Sequence, residues 1–185
     1  MSPTRGGGPS TRTRSPSSAR DRTSLQYGHL VNEPRHGGCS CGAVRYRLDS
    51  DPLFVHCCHC LNCQRQTGSA FVINLLIESR CVELLAAEPQ PIDVPRDEGS
   101  WQRVYRCATC QVAVFSEYGR PDICFVRSGT LDHPTTVAPD VHIYTRSKVA
   151  WLMLPESARK FEAFYDVEAE WPPASLERVR ALTTD

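Results

Sequence analysis

Seven of the ten cysteines in this chain fall into three tight groups. Cys58-His59-Cys60-Leu61-Asn62-Cys63 lies between Cys39-Ser40-Cys41 and Cys107-Ala108-Thr109-Cys110. Thiolates two or three residues apart on a turn can converge on one tetrahedral zinc ion. The outer pairs supply four sulfurs, which close a site. The middle run supplies three, which leaves a coordination position open. A closed zinc site holds a fold together, whereas an open one does chemistry. The spacing therefore predicts two Zn2+ per chain, one structural and one catalytic.

The middle run leaves a choice. Cys57, Cys60 and Cys63 form two consecutive Cys-x-x-Cys steps, and Cys58, Cys60 and Cys63 form Cys-x-Cys-x-x-Cys. Spacing permits both sets. His59 could in principle close the site as a fourth ligand. In an extended segment, however, it points away from Cys58 and Cys60, and it is assigned a structural role. Cys81 and Cys124 sit inside apolar strand patterns and read as buried, inert thiols. Metal is favoured over disulfides because no stretch combines a charged start, an apolar run and a small-residue cleavage site. The chain is thus expected in the cytoplasm, where close cysteine pairs are metal ligands.

The bulk properties suit one modest domain. The chain has 185 residues, 41% of them hydrophobic, and no apolar stretch long enough to span a membrane. Its formal net charge is zero but unevenly spread. Residues 1–36 carry six arginines against Asp21 and Glu33, so the remainder is acidic. Seven thiolates on two dications would make that remainder more negative still, the wrong sign for a nucleic-acid surface. Residues 1 to about 28 are Gly, Pro, Ser, Thr and Arg with almost nothing apolar, which predicts a disordered tail over 1–35.

The elements that must position the cysteines read mainly as short strands. Val44, Tyr46 and Leu48 alternate with Arg45 and Arg47. Further strand-like pieces are 71–77, 81–85, 101–106, 112–115, 123–126 and 141–144. Pro89, Pro91 and Pro95 predict an extended loop before Trp101. A short helical turn is expected within 155–165. The best helix is 175–182, with Leu176, Val179 and Leu182 on one side. The predicted organisation is a zinc domain over 36–168 and a helical C-terminal tail over 169–185.

Several stretches together resemble the glutathione-dependent formaldehyde-activating enzymes and their relatives, which include centromere protein V. They are Gly38-Cys39-Ser40-Cys41-Gly42-Ala43-Val44-Arg45-Tyr46, Cys58-His59-Cys60-Leu61-Asn62-Cys63-Gln64-Arg65 with Thr67-Gly68-Ser69-Ala70-Phe71, Cys107-Ala108-Thr109-Cys110, Gly129-Thr130-Leu131-Asp132, and His142 to Lys148 leading to Trp151. The resemblance implies a mainly β fold, a β-tent of twisted antiparallel sheets around the structural zinc, with short C-terminal helical segments. It implies that Cys39, Cys41, Cys107 and Cys110 hold that zinc, and that Cys58, Cys60 and Cys63 hold the catalytic one. The family usually has Gly after the third pair, where a left-handed turn is needed. This chain has Gln111.

The implied activity is that of a carbon–sulfur lyase on a small-molecule thiol–aldehyde adduct such as S-hydroxymethylglutathione. Three thiolates on Zn2+ leave a net negative site, and Arg65 is the sequence candidate for the offsetting cation. Arg45, Arg47, Arg146 and Lys148 are candidates to receive substrate carboxylates. Two other classes compete: a non-catalytic zinc module that binds a partner, which requires a fourth protein ligand at the middle site, and a redox protein, which requires reversible disulfides.

Overall fold

The computed structural model describes residues 34–95 and 101–182. The expected tail, up to residue 33, lies outside the described residues. In chain order the elements are β1 (Arg35–Gly38), β2 (Arg45–Leu48), β3 (Phe54–Cys58), α1 (Leu61–Thr67), β4 (Val72–Glu78), β5 (Val82–Leu84), β6 (Gln90–Pro95), β7 (Trp101–Arg106), β8 (Ala113–Glu117), β9 (Ile123–Arg127), β10 (Val141–Ile143), α2 (Val167–Glu170) and α3 (Pro173–Ala181). The fold is mainly β, as expected.

Two sheets carry it. A small antiparallel one runs β1-β2-β5, and a larger one runs β10-β3-β4-β9-β8-β7-β6. All neighbours in the larger sheet are antiparallel except β10, which lies parallel to β3. Every residue of β3 is buried, so both of its faces are covered. Val55, Leu75, Ile77, Cys124 and Val126 join one hydrophobic cluster with Tyr46, Leu48, Cys39 and Cys107. Phe54, Cys58, Val72, Leu76 and Ile123 join another with Tyr165, Trp171 and the helical residues Leu176 and Val179. The two sets alternate along β3, β4 and β9, which places the clusters on opposite faces.

Two expectations need correction. The proline-rich segment 89–95 is not a loop over its length, because β6 pairs with β7 from Gln90↔Arg106 to Pro95↔Trp101. β6 is an edge strand, and Pro91 and Pro95 share a parity, so their missing N–H groups fall on its free side. No helix forms within 155–165. That segment runs beside β10, and its backbone groups pair there: His142 N–H donates to the Arg159 carbonyl and Phe161 N–H to the His142 carbonyl. The expected C-terminal helix is present as α3.

The Gly-Thr-Leu-Asp stretch fastens the small sheet to the end of β9. Thr130 Oγ1 donates to the Arg127 carbonyl at 2.7 Å, which leaves Tyr46 to donate its hydroxyl to Thr130 at 2.7 Å. Asp132 forms a two-pronged ion pair with Arg45, and its N–H bonds the His36 carbonyl. Gly37 is required here: a Cβ would meet Tyr46 Oη at 2.4 Å and the Thr130 carbonyl at 2.5 Å.

Helix α3 is tied down by polar bonds as well as by its apolar side. Ser175 Oγ donates to the Leu53 carbonyl at 2.7 Å. Arg178 grips the buried Glu78 carboxylate at 2.8 and 2.5 Å. Burial alone would raise the Glu78 pKa, and the guanidinium reverses this and lowers it. Arg178→Ala strands a buried charge and should cost about 3 kcal/mol, the lower end for a buried pair because the arginine is partly exposed. A depressed carboxylate pKa contributes stability above its unfolded value of about 4.3, and that contribution is lost as pH falls through the folded value. Urea unfolding of both proteins should show a gap at pH 7 that narrows as the pH is taken below the ordinary glutamate range.

Candidate metal centre

The four outer cysteines meet although 66 residues separate Cys41 from Cys107. Cys39 Sγ lies 3.4 Å from Cys41 Sγ, and Cys41 Sγ 3.7 Å from Cys107 Sγ. Sulfurs at zinc distance in a tetrahedron stand about 3.8 Å apart, so this cage fits zinc. All four ligand atoms lie within 4.8 Å of one another. Turns supply them: Cys39 N–H bonds the Val44 carbonyl, and Cys107 N–H bonds the Val112 carbonyl. Gln111 takes the left-handed conformation that glycine usually provides, with φ 60°. Its side chain donates to the Ala108 carbonyl and its own carbonyl accepts from Arg106, which offsets a strain of about 1 kcal/mol.

The middle run divides by strand alternation. Cys58 pairs with Val72 and Ile143, and its side chain joins the cluster on the helical face. Cys57 pairs with Ile73 and His142 and points the opposite way. Two groups result: Cys58, Cys60 and Cys63 in one, Cys57, His59 and His142 in the other, each with its ligand atoms within 4.8 Å. The first group is completed by a helix that spacing alone did not show. Cys60 caps α1, its sulfur accepting the Cys63 N–H at 3.3 Å, and Gly68 ends it at φ 62°. That single turn brings Cys63 back beside Cys58.

Charge is crowded among the three sulfurs. Cys60, stabilised by Cys58 and then Cys63, is drawn down to about 2. Cys58 is pushed up by Cys60 and Cys63, and further by burial. Cys63, favoured by Cys58 but opposed by Cys60 and by burial, is raised to about 11. Three thiols thus hold one negative charge comfortably, and a dication is what would let all three ionise. This donor set fits zinc with a position left open.

The second group is a hydrogen-bond relay in geometry. His59 Nε2 lies 3.0 Å from His142 Nδ1, with ring centres 5.3 Å apart and planes 22° from parallel. His59 Nε2 also lies 3.6 Å from Cys57 Sγ, so the three side chains form one contact group. Burial lowers the His59 pKa to about 4 and raises that of Cys57 to about 12.

Polar side chains from other elements hold α1 in place. Gln102, fully buried on β7, accepts from Gln66 at 2.7 Å and Asn62 at 3.4 Å and donates to Tyr118. Gln64 donates to the His59 and Ser147 carbonyls. Of the basic residues singled out in the sequence, Lys148 acts on His59 through its charge. Arg65 is exposed. Arg45 is bound to Asp132, and Arg47 to Asp49 and Glu83. Arg146 stacks over Tyr144, and Lys148 donates to the Val149 and Leu152 carbonyls. A further cation, which the sequence reading missed, is Arg127. It ends the apolar strand Ile-Cys-Phe-Val-Arg at the parity that faces the helices, and its charge acts on Cys63.

A groove of about 660 Å³ opens next to this centre. It does not include the three cysteines. It abuts them through Thr67, whose hydroxyl bonds the Cys63 carbonyl, and through Val72, the partner of Cys58.

The family model for the glutathione-dependent formaldehyde-activating enzymes matches residues 34–147. The chain belongs to that family. No curated protein matches it. Among solved structures, a Rhodobacter sphaeroides protein is similar at 18% identity, with a TM-score of 0.42, over 56% of this chain and 91% of that one. Membership carries with it a formaldehyde-activating or related role and is consistent with metal at the cysteine clusters. Among the described residues, no helix is long and apolar enough to cross a membrane.

The division of the middle run can be tested on single mutants. Cys57→Ser should keep the full zinc content of the wild type, and Cys58→Ser should lose one equivalent. Metal analysis of the two purified proteins decides, and the opposite pattern would reverse the assignment.

Proposed function

We propose that the protein is a zinc-dependent carbon–sulfur lyase that interconverts a thiol–aldehyde hemithioacetal with its free thiol and aldehyde, S-hydroxymethylglutathione being the reference substrate. One observation carries the reading. Cys58, Cys60 and Cys63 form a cluster of three with no fourth Cys, His, Asp or Glu in it among the described residues. A structural module would need that fourth ligand.

In the forward direction the carbon–sulfur bond breaks and sulfur keeps the electron pair. The hydroxyl loses its proton as the carbonyl forms, and a proton is returned to the thiolate. Bound by the three sulfurs, zinc would stabilise a developing thiolate or polarise the aldehyde oxygen. The remaining work falls to the protein. The Cys60 cap and the Gln64 and Gln102 bonds fix α1, so the three sulfurs need no rearrangement during turnover. Phe71 and Val72 give the adjoining groove an apolar wall that limits water. Arg127 supplies the positive charge that a three-thiolate centre lacks.

The outer four-sulfur site is assigned to structural zinc and the middle one to catalysis, two ions per chain. Cys39 and Cys107 are buried in the cluster that joins the two sheets, whereas the middle site lies under one helix. Cys39→Ser or Cys107→Ser should therefore lower the yield of folded protein, because structural zinc contributes about 10–16 kcal/mol in small zinc peptides. Cys60→Ser should stay folded by circular dichroism.

Activity is tested by exchange NMR between labelled formaldehyde and its glutathione adduct, with and without the zinc-loaded protein. Wild type should accelerate exchange, and Cys60→Ser should lose at least about 100-fold of that acceleration. No acceleration with glutathione or with any other thiol adduct would sink the lyase reading.

A further inference from the structure

The three-cysteine centre leaves a second cluster of metal-binding side chains unused. Cys57, His59 and His142 hold a sulfur and two ring nitrogens within 4.8 Å of one another. Register puts them there. Cys57 and His59 are two residues apart in an extended segment, so their side chains share a face. β10 runs parallel to β3 with His142 directly beside Cys57, and His59 N–H continues the ladder by donating to the Ile143 carbonyl. The three side chains therefore stand on one face of a parallel strand pair, opposite the face that carries Cys58. His142 is pinned from its other side as well. Its N–H donates to the Arg159 carbonyl, and its carbonyl accepts from the Phe161 N–H.

The distances suit an ion. Nitrogens about 2.0–2.1 Å and a sulfur about 2.3 Å from one metal stand roughly 3.3–3.6 Å apart. His59 Nε2 lies 3.0 Å from His142 Nδ1 and 3.6 Å from Cys57 Sγ, so a small swing of the half-buried His142 ring opens the pair far enough. Charge and ligand number select the kind of ion. Cys57 is 2% exposed and His59 is fully buried. Among the described residues no fourth Cys, His, Asp or Glu joins the cluster, and zinc would need a fourth ligand. A dication on one thiolate and two neutral imidazoles would also bury a net positive charge, which is costly when unpaired. The charges of Lys148 and Lys160 already act on His59 and His142 and would add to that cost. A soft monovalent ion on the same donors is neutral, and copper accepts a trigonal set of two imidazoles and one thiolate.

We propose that Cys57, His59 and His142 form a binding site for one monovalent copper ion, separate from the two zinc positions. Binding transfers no electron. The ion takes the place of the Cys57 thiol proton, which leaves to solvent, and each imidazole keeps its one hydrogen on the nitrogen that does not ligate. Copper held in this way ties the end of β3 to β10, just before the chain turns into α1. Phe71 packs against the His59 ring and also lines the groove, so the ion lies behind the groove's wall. It enters past His142, the least buried of the three ligands.

The test exposes zinc-loaded full-length protein, without air, to Cu+ buffered by a weak copper chelator, and counts both metals after desalting. Wild type should keep all its zinc and take up one copper. X-ray absorption at the copper edge should then show one sulfur and two nitrogens around the ion. The melting temperature should rise on loading, because the assembled site exists only in the folded chain. His142→Gln, at the half-buried position, should lose the copper and keep the zinc, and Cys57→Ser should do the same. The sulfur count in wild type decides the matter if neither variant folds. Copper uptake matched by zinc release, or a shell of sulfurs alone, places the copper in the cysteine sites and overturns the proposal. So does a third zinc bound by the same residues, an absence of uptake by wild type, or undiminished uptake in His142→Gln.

Discussion

The period-two alternation of β3 is the constraint on which the site depends. Four consecutive residues, Cys57, Cys58, His59 and Cys60, all carry groups that can bind metal. A helix would present them on several sides, and a loop on none in particular. A fully buried strand with partners on both edges sends Cys58 to one face and Cys57 to the other. The faces then acquire different chemistry from their neighbours. One gains Cys60 and Cys63 through a helical turn, and the other gains His142 from the parallel strand.

Electrostatics follows from the same placement. Three thiolates on a dication would leave excess negative charge in a buried setting, where charge is poorly screened. The Arg127 guanidinium sits two strands from Cys58 on the same face, supplied by β9 and steadied by Asn74. Its Nη1 donates to Asn74 Oδ1, and a buried guanidinium is costly unless something anionic shares the space. The sulfurs of the middle run are such a partner, since the Arg127 charge acts on Cys63.

Much of this was legible in the sequence because it depends on local spacing. The pairs Cys39/Cys41 and Cys107/Cys110 and most strands follow from residue type and alternation, and 101–106 matches β7 residue for residue. What was not legible depends on contacts distant in sequence. Helix α1 is seven residues long and is secured by Gln102 from another strand, so periodicity had nothing to register. β6 carries three features hostile to strands, two of them prolines, and survives because only one of its edges is paired. Arg65 is the candidate cation by proximity in sequence. Arg127, more than sixty residues from the last cysteine of the middle run, reaches the same centre by register, its charge acting on Cys63. Its signal was available in part: an arginine at the inward parity of an apolar strand.

The tandem cysteines also bear on how the chain assembles. Before the sheet exists, Cys57, Cys60 and Cys63 are as well spaced for a metal ion as Cys58, Cys60 and Cys63. An ion captured by the first set would rotate the strand by one residue and turn its apolar side chains to the wrong faces. Only after β3 has paired with β4 and β10 is Cys57 removed from the competition. The sheet therefore proofreads the metal site, and the safe order of assembly is strand pairing first and metal loading second.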